Sequence, residues 1–210
     1  MTSSATGFTF TETMGGHVGD VSLTYEDGQR QGKADGETLR FKVTITIRDL
    51  SKFLRDPTHQ APMTGTIHSS TLGKDLLVEE GVFNLLERTP EGRLRMGYLL
   101  KFRSADGVPY VLEGFKDVHN DRMIDFWYDT TALFTTLRRE DDVEGAGARH
   151  GILRIRLLDL AAQVASMRNP NGGGILGHAK GLMRFNWFFG FTLAREYARP
   201  PRRAAASKPV

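Results

Sequence analysis

Apolar and polar residues alternate along most of this chain. In "FKVTITIR", Phe41, Val43, Ile45 and Ile47 fall on one face, and Lys42, Thr44, Thr46 and Arg48 on the other. A period of two is the signature of a half-buried strand. "FTFTETM" repeats it, with Phe8, Phe10 and Met14 against Thr9, Thr11 and Thr13, and "DVSLTYED" does so with Val21, Leu23 and Tyr25. "LRMGYLLKF" sets Met96, Tyr98, Leu100 and Phe102 on one face. "VPYVLEGFKDV" sets Tyr110, Leu112 and Val118 on one face, and Val111 and Phe115 on the other. Asp106-Gly107 between these two runs predicts a hairpin turn, because glycine takes positive φ without a Cβ clash. "PMTGTIHS", "LLVEEGVFNLLE", "MIDFWYDTTALFTTL" and "GILRIRLLDL" bring the expected strands to about nine, separated by Gly, Asp and Pro.

Helical patterns are fewer. "DLSKFLRDP" predicts a short helix capped by Asp49 or Ser51 and stopped by Pro57. "DLAAQVASMR" predicts another, ended by Asn169-Pro170. After the Gly-rich stretch 169–174, Leu182, Phe185, Phe189, Leu193 and Tyr197 recur at helical spacing. The expected organisation is an antiparallel β domain over 1–168, a hinge over 169–174, an amphipathic helix over 175–198 packed on the β domain, and a disordered basic tail over 199–210. Many short alternating strands and one terminal helix predict a mainly β fold, a lipocalin-like antiparallel barrel. A two-sheet β-sandwich is the alternative.

Composition narrows the chemistry. The chain has 210 residues and no cysteine, which excludes disulfides, thiolate metal sites and a cysteine nucleophile. With no basic start, no apolar leader and no run long enough to span a bilayer, the expected location is the cytoplasm. The net charge of +3 gives no ground for a nucleic-acid partner, the basic excess being concentrated at the C-terminal end. Gly172 to Gly177 matches G-x-G-x-x-G but lacks the preceding strand and the βαβ context of a dinucleotide fold, so no cofactor is expected. No two of the six histidines stand at i, i+2 or i, i+4, so no metal couplet is expected. The hydrolase elbow, P-loop and zinc-protease motifs are absent.

A few polar residues interrupt apolar runs. Lys116 shares parity with Tyr110, Leu112 and Gly114. If that face is interior, its ammonium demands an anionic or carbonyl partner. Asn84 in "GVFNLLE" and Asp129 in "DFWYDTT" raise the same demand. Lys116, Asn84, Asp129, Trp127 and Tyr98 are the candidate ligand contacts. A binding pocket is mostly apolar with a few placed polar groups. The leading expectation is therefore a non-catalytic module that binds an apolar or amphipathic small molecule. A core filled solid by the protein's own side chains would count against it. One alternative is a protein- or membrane-docking module using the C-terminal helix, whose Lys180, Arg184 and Arg195 flank an apolar face. Another is a hydrolase or isomerase on a lipid-like substrate, with Asp117, His119 or Asp129 converging in a cleft.

"FTFTETMGG", "DLSKFLRDPTHQAPMTGTI", "VEEGVFNLL", "MGYLLKF", "GFKDV", "DFWYDTTALFTTL" and "GILRI" occur here in this order. Together they make the chain resemble an accessory, non-flavin β-domain of long bacterial cholesterol-oxidase-like proteins, which are glucose-methanol-choline flavin oxidoreductases. The resemblance runs from about Phe8 to Tyr197. It implies a module associated with a flavin oxidoreductase acting on sterols or other lipids. The flavin fingerprint of that family is missing here, so oxidase chemistry does not carry over.

Overall fold

In the computed structural model, residues 7–20, 24–88, 94–118, 132–142 and 144–155 are described. They form eight strands: β1 (Phe8–Asp20), β2 (Thr38–Ile47), β3 (Gln60–Ser69), β4 (Gly73–Arg88), β5 (Leu94–Arg103), β6 (Pro109–Val118), β7 (Ala132–Arg139) and β8 (Arg149–Ile155). Each pairs antiparallel with its sequence neighbours, and β1 also pairs with β8, from Met14↔Ile155 to Asp20↔Arg149. That last pairing closes the sheet into a barrel and leaves no free edge. The two-sheet sandwich is thereby set aside.

The barrel has eight strands where alternation predicts about nine. In "DVSLTYED" residues 21–23 lie outside the described set, and Tyr25 opens helix α1 (Tyr25–Ala34). Local chemistry overrides the alternation. Thr24 Oγ1 accepts the Asp27 backbone N–H at 3.2 Å, and the same hydroxyl donates to Asp27 Oδ2 at 2.9 Å. This S/T-x-x-D/E arrangement satisfies a free N–H of the first helical turn. α1 then lies on the outer wall against β1 and β8. Its glycines permit the approach: a Cβ on Gly32 would stand 2.2 Å from the Val18 carbonyl oxygen.

Helix α2 (Leu50–Phe53) begins at the Asp49 cap and ends short of Pro57. It sits between β2 and β3 and contributes Leu50 and Phe53 to the core. The Gly-rich hinge, the C-terminal helix and the basic tail expected from the sequence lie outside the described residues. Among the described residues, no helix is long and apolar enough to cross a membrane.

Inside, the even or odd positions of each strand converge. Phe10 and Met14, then Phe41, Val43 and Ile45, and Met96, Leu100 and Phe102 join one buried cluster. Aromatic rings fill much of its width. Phe83 meets Phe10 edge-on at 6.4 Å and Tyr98 at 5.1 Å, centroid to centroid.

His59, just before β3, packs its ring 5.7 Å from that of Phe53. Burial holds its pKa below the ordinary 6.5, against the pull of Asp56. The unfolded chain therefore takes up a proton near pH 6.5, while the folded chain resists until lower pH. Stability from this group is present above about pH 6.5 and falls as the pH drops below it. His59→Gln is expected to flatten the decline in melting temperature between pH 7 and pH 5. Parallel curves for the two proteins would refute this.

Candidate functional site

The most polar feature of the interior is carried by three strands. Glu12 on β1, Tyr98 on β5 and Lys116 on β6 are all buried, at 1%, 5% and 2% exposure. Lys116 Nζ donates to Glu12 Oε1 at 2.7 Å. Tyr98 OH donates to Glu12 Oε2 at 2.9 Å. The same ammonium stands 5.0 Å from the centroid of the Tyr98 ring. β5 faces β1 across the ring of eight strands, so this contact spans the full width of the barrel.

The chemistry of the trio is self-contained. A buried carboxylate needs partners for both oxygens, and a buried ammonium needs an opposite charge. Here each requirement is met by another member. Burial first, then the Glu12 charge and the hydrogen bond to it, push the Tyr98 hydroxyl well above its ordinary value, so it remains a donor. Tyr98→Phe should cost about 1–3 kcal/mol, because it leaves one carboxylate oxygen buried without its bond. A urea melt measures this, and a loss under about 0.5 kcal/mol would show that water replaces the phenol.

Of the candidate contacts, Lys116 and Tyr98 come together on the inner face. Asn84 does not join them. It lies on the outer side of β4, with Nδ2 donating to the Thr58 carbonyl at 3.2 Å. That bond meets the demand its amide makes within an apolar run. Trp127 and Asp129 lie outside the described residues, as does His119. The partner of Lys116 is absent from the sequence candidates, yet a signal for it exists. Phe8, Phe10 and Met14 share one parity, and the position between Phe10 and Met14 in that set is Glu12. A carboxylate on an apolar face marks a buried charge as clearly as the lysine does.

Two grooves lined by described residues open on the outside of the wall. One of about 680 Å³ crosses β1, β2 and β3, over Gly15, His17, Arg40, Lys42, Thr66 and His68. A second lies beside Tyr25, between α1 and the outer faces of β5 and β6, with Arg95, Glu113 and Phe115 on its walls. There Tyr25 stacks on His150 at 4.4 Å and meets Phe115 and Phe134 edge-on. Among the described residues, no three His, Asp or Glu side chains converge in a metal-binding arrangement. No family model, curated protein or solved structure matches the chain.

Proposed function

We propose that this chain is a non-catalytic binding module that works from its outer wall. The observation that carries this reading is the interior. One apolar cluster occupies it, and Glu12, Tyr98 and Lys116 satisfy one another there. An apolar ligand would have to displace packed rings and break an ion pair in low dielectric. The outer wall carries two grooves lined by described residues. The sequence resemblance supports an accessory role beside a flavin oxidoreductase. That enzyme class is the partner the module would serve.

A second reading keeps the amphipathic ligand inside the barrel, at Lys116 and Tyr98. The cost of burying charge supports it. A buried ion pair is often no more stabilising than a well-packed apolar substitute, which leaves room for a functional reason to keep it.

Native mass spectrometry of the protein from its own host separates the two, combined with melts against oleate and cholesterol. The outer-wall reading expects a bare mass and no thermal shift. A ligand at a hundred times its dissociation constant would stabilise by about 2.7 kcal/mol. A retained apolar molecule, or a shift of that size abolished by Lys116→Met with Glu12→Leu, would establish the interior reading instead.

A further inference from the structure

The groove over β1, β2 and β3 has a floor and a charge pattern that set it apart. Gly15 projects no side chain from the outer face of β1. The strand register places Arg40 beside it on β2, and His68 beside Arg40 on β3. Lys42 follows two positions along β2, next to Thr66. Backbone and hydroxyls thus form the base, and an exposed guanidinium and ammonium stand over it.

Elsewhere on the wall, several strand cations are matched by cross-strand or nearby carboxylates. Lys101 lies 3.2 Å from both Glu80 and Glu140, Arg103 3.1 Å from Glu79, and Arg138 3.0 Å from Glu113. Arg139 pairs with Asp141 at 2.7 Å. Arg40 and Lys42 have no such carboxylate among the described residues. The acidic group at this groove is Asp75, at the start of β4 and two strands away from β2. The groove is therefore polarised, with cations at one side and a carboxylate at the other.

We propose that this groove binds a soluble phosphate ester with a hydroxyl-bearing body. Arg40 and Lys42 take the phosphate oxygens, and Asp75 accepts from the hydroxyls. Arginine offers a planar fork that matches phosphate geometry, and lysine adds a mobile point charge. The volume of about 680 Å³ suits a small molecule. The bare stretch at Gly15 lets the ligand approach the strand backbone, where a side chain would hold it off. The inference rests on the outer-wall reading and names the ligand class for that wall.

The test is an amide NMR titration of the 210-residue chain with glucose 6-phosphate, inorganic phosphate, and sodium chloride at matched ionic strength. Saturable shifts at Gly15, Gly16 and residues 38–42 are expected, with tighter binding of the ester than of inorganic phosphate. Arg40→Gln with Lys42→Gln should weaken binding at least tenfold and leave the remaining spectrum unchanged, since both side chains are exposed. Asp75→Asn should remove the preference for the ester. Shifts that never saturate and are matched by chloride would overturn the proposal. So would saturable binding indifferent to the double substitution, or binding to phosphatidic acid vesicles alone. Such a failure with a bare native mass leaves the outer-wall reading standing. A retained apolar ligand removes that reading whatever the titration shows.

Discussion

Lys116→Met is expected to lower stability by about 3–5 kcal/mol, among the largest effects of any single substitution in this barrel. Methionine fills much of the volume of the lysine stem, so little of the loss comes from packing. It comes from Glu12. With the ammonium gone, a carboxylate at 1% exposure keeps only the Tyr98 hydroxyl as its described partner. The group then either remains charged in low dielectric or takes up a proton, and both cost free energy relative to the wild type. Adding Glu12→Leu should recover most of the loss, because an apolar pair of similar volume removes the unpaired charge as well as the pair. Urea melts of the wild type, both single variants and the double variant complete a mutant cycle with a coupling of several kcal/mol. If Lys116→Met alone costs less than about 1 kcal/mol, water reaches Glu12 and the pair is not dry. The interior would then be more open than its packing indicates, and the amphipathic-ligand reading would gain ground.

Much of the barrel is legible in the chain because alternation is a local signal. A half-buried strand must place every second residue inside, so Phe41, Val43 and Ile45 announce β2 without reference to any other strand. Parity puts Lys116 on the Leu112 face of β6 and Tyr98 on the Leu100 face of β5 but leaves open whether the Lys116 face is interior; the structure buries both. Which residues meet across that interior is a different kind of fact. Glu12 and Lys116 are 104 positions apart, and their contact depends on the stagger of the closed sheet. No local pattern carries that. The groove on the outer wall has the same origin. Gly15, Arg40 and His68 are neighbours only through the register of β1, β2 and β3. The run "DVSLTYED", expected as a strand, is a different case, for its signal is local. Thr24 and Asp27 form a cap that competes with the alternating reading, and the cap prevails at Tyr25.

Gly32→Ala tests the outer wall from the opposite side of β1. In an isolated helix this change is favourable by about 0.8–1.0 kcal/mol, since alanine loses less backbone freedom than glycine. In the folded barrel the sign should reverse. The new methyl would stand 2.2 Å from the Val18 carbonyl oxygen and 2.6 Å from its carbon. Those atoms belong to β1, which is held on both sides by β2 and β8, so the helix must yield instead. Its displacement pulls Tyr25 off the His150 ring and weakens the bond from Gln29 Nε2 to the Ile152 carbonyl, now 3.3 Å. The net expectation is a loss of about 1–3 kcal/mol, typical of overpacking against a surface that cannot relax. Lys33→Ala, one position on and exposed, should change stability by less than about 0.5 kcal/mol. Urea melts give the magnitudes, and hydrogen exchange of the α1 amides shows whether the helix loosens while the strands stay protected. An alanine variant as stable as the wild type would mean that α1 rides further from the wall than its glycines allow. The clamp that Tyr25 forms over Phe115, Phe134 and His150 would then be a loose contact.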